Sequence, residues 1–215
     1  HSPGRPMNGG PPSRLPIVAL VCSAGGLDPL VQILQGLPRL LPASVIVLQH
    51  QSPGATALLT HILERHCELP VVEARDGELL PAGTVVVVPS GHHALVTGDD
   101  RIMLIPSDGS IRYRPSADLL LTTLALAAGP RAVAVILSGA GSDGALGAMV
   151  VHRCGGTVLA SDVASSEYFA MPSAAINEQG VVDRVLPVHE ITAQLTALTG
   201  GGYAAGVASE PAAPA

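Results

Sequence analysis

Three short aliphatic runs, Ile17 to Val21, Val45 to Leu48 and Ala132 to Leu137, each lead into a segment that carries a reactive side chain. The segments are Val21-Cys22-Ser23-Ala24-Gly25-Gly26, Val47-Leu48-Gln49-His50 and Ser138-Gly139-Ala140-Gly141-Ser142-Asp143-Gly144. The runs read as strands. In an open α/β sheet the carboxyl ends of the strands line one crevice. Ser23, His50 and Asp143 are thereby candidates to meet there. A hydroxyl, an imidazole and a carboxylate form the set needed for a nucleophile, its base and the group that orients the base.

Strand and helix patterns alternate along most of the chain. Strand 17–22 leads to helix 27–36, and strand 44–49 to helix 54–66, where Leu58, Leu59, Ile62 and Leu63 follow helical spacing. Strand-rich runs follow near 70–74, 84–88, 92–96 and 101–105, with a hairpin turn expected at Asp99-Asp100. Ser116 is placed to cap a helix over 117–128, with Asp118 in its first turn. Then come strand 132–137, helix 143–153, strand 157–160, a short helix near 173–177, strand 181–185 and helix 189–198. This order predicts an α/β fold: a doubly wound, mostly parallel sheet flanked by helices, with a small antiparallel insertion. Residues 15–199 form the expected domain. Segments 1–14 and 200–215, rich in Gly, Pro and Ala, are expected to be disordered.

Composition narrows the chemistry. Of the 215 residues 47% are hydrophobic, enough for a substantial core, but aromatics make up only 2% and Phe169 is the single Phe. The core must pack from Val, Leu, Ile and Ala. There is no Lys, so all 11 cations are Arg. That excludes a Walker-A phosphate loop, Schiff-base chemistry and Ser-Lys hydrolysis. The net charge of −6 argues against binding a nucleic-acid backbone. No apolar run reaches the roughly 20 residues of a membrane span, and no secretory signal is visible. Cys22, Cys67 and Cys154 lack CxxC spacing and read as reduced thiols of a cytosolic protein. Cys22 reads as an apolar strand-end residue rather than a nucleophile.

Each chemical segment has a plainer alternative. Ser23 before Gly25-Gly26 and a helix presents its hydroxyl beside unpaired helix N–H groups, suited to an oxyanion. The same turn could equally be a phosphate-binding or purely structural loop. A lone His at a strand end, such as His50, is commonly structural. His92 and His93 point to opposite sides of a strand, and His61 and His66 are badly spaced for a metal, so no metal site is expected. Gly139 to Gly144 matches GxGxxG, with Asp162 lying 18 residues beyond, which leaves a dinucleotide fingerprint as a rival.

Longer pieces bring out a family. Ser23-Ala24-Gly25-Gly26, Gln49-His50, Glu73 to Glu78, Pro89 to His93, Arg114-Pro115-Ser116-Ala117-Asp118, Leu137 to Ala145 and Phe169 to Ile176 occur in this order over about residues 16–198. In them the chain resembles the catalytic domain of the chemotaxis-receptor protein-glutamate methylesterase (CheB) family. The resemblance implies a Ser23, His50 and Asp143 triad, no metal or organic cofactor, and a cytoplasmic location. It implies hydrolysis of glutamate γ-methyl esters on the cytoplasmic helices of chemoreceptors, with glutamine deamidation as a further activity of some members. Backbone N–H groups at Ala24 and Ala140 become oxyanion-hole candidates, and Arg114 a candidate contact for an acidic receptor surface. The sequence departs from the family at Ala24 (usually Thr), Ala140 (usually Met) and Gln51-Ser52-Pro53 (usually Met-Pro after His). Many members carry a receiver domain ahead of the esterase; the roughly 15 residues before the first strand are too few for one, so the chain is expected to be either an excised domain or a member of a stand-alone branch. A catalytically silent binding module and a nucleotide-binding domain are the competing functions.

Overall fold

The computed structural model describes residues 14–200 apart from Pro53, Ile111 and Arg112. Apart from Arg14 and Gly200, the two terminal segments expected to be disordered lie outside the described residues. Arg14 itself pairs with Asp100, 2.6 Å away.

Among the described residues a seven-stranded sheet runs β3-β4-β2-β1-β7-β8-β9. Its strands are β1 (Ile17–Cys22), β2 (Ser44–Gln49), β3 (Val71–Glu73), β4 (Thr84–Val87), β7 (Ala132–Ile136), β8 (Thr157–Ser161) and β9 (Arg184–Leu186). Every pairing in it is parallel. The antiparallel part is the hairpin β5 (His92–Val96) and β6 (Ile102–Pro106), with an isolated antiparallel bridge between Leu79 and Arg101 beside it. The runs near 70–74 and 84–88 therefore belong to the main sheet. Val85 to Val87 are buried on both faces, as a parallel strand between two others requires.

Two apolar layers sandwich the sheet, and β1 shows how. Ile17, Ala19 and Val21 join one cluster while Val18, Leu20 and Cys22 join the other, following the two-residue period of a strand. The second layer is closed by α1 (Leu27–Gln35), α2 (Thr56–Glu64) and α6 (Val188–Leu198). The first is closed by α3 (Ala117–Ala128), α4 (Ala145–Arg153), α5 (Ala170–Ile176) and the hairpin. Close helix packing here relies on small residues. A Cβ on Gly147 of α4 would come within 2.6 Å of the Leu121 side chain on α3. Cys22 is fully buried and burial pushes its thiol far above the usual range, so it is inert.

Most elements fall within one or two residues of the sequence expectation. The exceptions are α5, which starts at Ala170 instead of near 173, and β9, which spans Arg184–Leu186 instead of 181–185. Pro172 lies in the first turn of α5. Proline is tolerated in the first helical turn, where its missing N–H has no intrahelical acceptor.

Leu20 is fully buried on the central strand, whereas Leu40 is 83% exposed. Leu20→Ala should lower the unfolding free energy in urea by about 2–5 kcal/mol. Leu40→Ala should change it by less than about 0.5 kcal/mol.

Candidate active site

The strand order reverses beside β1, because the chain first builds outward through β2 and β4 and then returns to place β7 on the other side. Such a switch point opens a crevice at the carboxyl edge of the sheet. Ser23 follows β1, His50 follows β2, and the Gly139–Gly144 turn follows β7. Backbone bonds tie these three exits together. Ser23 N–H donates to Ser138 O at 3.0 Å, and His50 N–H donates to Cys22 O at 3.1 Å.

Asp143 is almost fully buried, and its carboxylate accepts three hydrogen bonds. His50 Nε2 donates to Oδ2 at 2.7 Å, Ala117 N–H donates to Oδ2 at 2.7 Å, and Asp118 N–H donates to Oδ1 at 2.9 Å. The last two are N-terminal amides of α3, so Asp143 caps that helix alongside the local cap Ser116. Burial pulls the Asp143 carboxyl up, but the bonds from His50 and the two amides outweigh it and hold it below the usual carboxylate range. A carboxylate facing Nε2 fixes the proton there. Nδ1 is left with its lone pair, as a general base needs.

Asp118 returns the arrangement. Its Oδ1 accepts from Gly144 N–H at 3.0 Å and Gly147 N–H at 2.8 Å, at the start of α4. Burial raises its pKa; the two amides partly offset this, and the Asp143 charge adds to the rise. These contacts also bear on the dinucleotide reading of the glycine motif. The helix N-terminus that would receive a pyrophosphate is already occupied by a carboxylate. The glycines have steric duties instead. A Cβ on Gly139 would lie 2.6 Å from Ser23 Oγ, and one on Gly141 would lie 2.5 Å from the Tyr113 hydroxyl.

Ser23 Oγ accepts from Ala140 N–H at 2.9 Å. It lines a pocket of about 370 Å³ with Ala24, Gly25, Leu27, Asp28, Gln49, His50 and Glu167. Ser23 and His50 share this pocket without a hydrogen bond between them; such contacts are commonly loose before substrate binds. Ala140 N–H thus reaches the Ser23 hydroxyl, and Ala24 lines the same pocket. Arg114 is exposed and lines the adjoining pocket beyond His50, with Gln51, Ser52 and Tyr113.

Three contributors escaped the sequence reading. Tyr113 stacks on His50 with ring centroids 5.3 Å apart and planes 8° from parallel. His93, which accepts from Ser116 N–H at 3.0 Å, steadies the start of α3. Ser138 Oγ accepts from Tyr168 N–H at 3.0 Å and donates to Ala24 O at 2.9 Å, joining the serine turn to the segment before α5. His93 and Ser138 lie within segments named above, but no motif or spacing announces these contacts, and Tyr113 lies outside every such segment.

The geometry defines an α/β fold with a His50–Asp143 pair, its carboxylate buried, beside a pocket-lining serine at the topological switch point. The family model described as CheB methylesterase matches residues 18–195, so the chain belongs to that family. It is 40% identical over 185 residues to the protein-glutamate methylesterase FrzG of Myxococcus xanthus, covering 86% of this chain and 55% of that protein. It is 43% identical over 187 residues to a protein-glutamate methylesterase/protein-glutamine glutaminase of Anaeromyxobacter dehalogenans, covering 87% of this chain and 54% of that protein. The chain therefore spans about half the length of these curated relatives. The crystal structure of the Thermotoga maritima CheB methylesterase catalytic domain superposes with a TM-score of 0.82 at 38% identity, covering 85% of this chain and 98% of that one.

The depressed Asp143 value has a consequence for stability. Its ionised form supports the fold fully above the unfolded value near 4, and that support is lost as pH falls through the lower folded value. The stability gap between wild type and Asp143→Asn, from urea unfolding, should therefore shrink between about pH 5 and pH 2. At neutral pH, Asp118→Ala should cost about 1–3 kcal/mol by orphaning two amides, and Asp118→Asn, which keeps the accepting oxygen, clearly less.

Proposed function

We propose that the chain is a serine hydrolase that demethylates glutamate γ-methyl esters on the cytoplasmic helices of chemoreceptors. The observation that carries this reading is the 2.7 Å His50–Asp143 pair beside Ser23, in a chain of the CheB methylesterase family. Ser23 Oγ attacks the γ-carbonyl while His50 Nδ1 takes its proton. Asp143 holds the imidazole with its proton on Nε2 and stabilises the imidazolium that forms. Ala140 N–H leaves the Ser23 oxygen for the developing oxyanion, joined by Ala24 N–H. Collapse expels methanol, which carries the proton from His50. A water activated by the same imidazole then releases the glutamate side chain and restores Ser23.

The chemistry runs on side chains and amides alone. The substrate places the protein in the cytoplasm with a methylated receptor as its partner. Among the described residues no helix is long and apolar enough to cross a membrane, in keeping with action on receptor segments outside it. Arg114 is placed to meet acidic residues flanking the ester. Glutamine deamidation would use the same acylation path, with ammonia leaving in place of methanol.

Ser23→Ala should abolish methanol release from a methylated receptor fragment while its unfolding transition stays that of a folded protein. Undiminished release by the folded variant would remove Ser23 as nucleophile. Asp143→Asn should lower the rate by up to about 10⁴-fold, because the amide no longer fixes the imidazole tautomer.

A further inference from the structure

Two carboxylates stand at the mouth of the Ser23 pocket, and the mechanism uses neither. Asp28, in the first turn of α1, and Glu167, in the segment before α5, both line it. Both side chains are exposed. Neither makes a hydrogen bond or ion pair among the described residues, so no cation offsets either charge locally. Glu167 leans over the serine turn. Its Oε2 lies 2.9 Å from where a Cβ on Gly25 would stand, two residues from Ser23. Arg114 lines the adjoining pocket, which shares His50 with this one, and not the Ser23 pocket itself.

These charges act unequally along the reaction. The substrate γ-carbonyl is neutral. The tetrahedral intermediate pairs an oxyanion with an imidazolium, so the site gains no net charge in forming it. Methanol leaves as the neutral acyl-enzyme forms; its hydrolysis by water then yields free Ser23, a carboxylate and a proton that leaves to solvent, and only at this stage does the pocket hold one extra negative charge. Fixed anions at the rim thus oppose the product far more than the substrate or the intermediate. Asp28 also offsets the positive end of α1, which would otherwise hold that product carboxylate.

We propose that Glu167, assisted by Asp28, is a specificity residue that makes the Ser23 pocket accept an uncharged glutamyl ester or amide side chain and reject the glutamate carboxylate. This rests on the esterase reading above. It supplies a means of product release, and it keeps unmethylated receptor sites, which carry the same side chain as the product, from competing for the enzyme.

The test uses two helical peptides that differ only in one side chain, glutamate γ-methyl ester or glutamate. Inhibition of ester turnover by the glutamate peptide is measured for wild type, Glu167→Gln and Asp28→Asn/Glu167→Gln, at low and high salt. The inhibition constant should fall by about three- to tenfold in Glu167→Gln at low salt, and further in the double variant. KM for the neutral ester should move less than about twofold. The fall should shrink at about 0.5 M salt, where screening acts over a few ångströms. If the inhibition constant and KM move together, or if neither moves, the proposal is overturned. Absence of turnover by wild type would sink the esterase reading instead. Fluorescence anisotropy of the two labelled peptides on the same proteins would then read the ester-to-carboxylate preference directly, and an equal ratio in wild type and Glu167→Gln would overturn the proposal by itself.

Discussion

The site depends on a crossed pair of helix caps. Asp143, on the turn that leads into α4, accepts the first amides of α3, while Asp118, on α3, accepts the first amides of α4. Each carboxylate thus satisfies donors that the other helix leaves unpaired, and each lies in the positive field of a helix N-terminus. Two acidic groups this close would normally repel one another, and the Asp118 carboxyl is raised first by burial, with that repulsion adding to the rise. The amides offset its cost. They leave Asp143 free to carry its charge, and the two helices fix where that charge sits. His50 then finds a carboxylate already ordered on two sides. Preorganisation of this kind lets a triad member act without rearranging during the reaction.

The scaffold beneath these caps is ordinary sheet physics. β1 is paired on both sides and buried on both faces, so its carboxyl end has little freedom. The exits of β1, β2 and β7 are stitched to one another by backbone bonds before any side chain contributes. Small residues let the turns approach closely. At Gly139 a side chain would collide with Met171 as well as Ser23, so the absence of a Cβ brings the serine, the Ala140 amide and α5 together.

Much of this was legible in the residues. Aliphatic runs, helical spacing and the Ser116 cap located nearly every element, because local patterns carry that information. The serine, histidine and aspartate stood out because each follows a strand. What stayed hidden depends on contacts across the chain. Tyr113 lies 63 positions from the His50 ring it covers, and nothing near either residue marks the pairing. Asp118 was legible as a first-turn acid of α3, yet its acceptance of α4 amides is set only once α3 and α4 are packed. Likewise the runs near 70–74 and 84–88 were visible as strands, but the parallel pairing of β4 with β2 and of β3 with β4 follows from crossovers that no local pattern records.

The departures of this sequence from its family can be weighed on the same footing. Residues 24 and 140 flank the serine, and both carry alanine in place of a larger or polar side chain. Both alanines are exposed, so neither substitution opens a hole in the core. What the chemistry asks of these positions is an amide direction, and that direction is set by the backbone. Ser138 Oγ holds the Ala24 carbonyl, and Gly139 and Gly141 set the turn on either side of Ala140. Ala24 lines the Ser23 pocket, so a small side chain there leaves room at its mouth, while the Ala140 amide still points at Ser23 Oγ. On the proposed mechanism the changes therefore bear on which segment of a partner can approach Ser23, while positions 24 and 140 contribute through backbone amides that do not depend on their side chains.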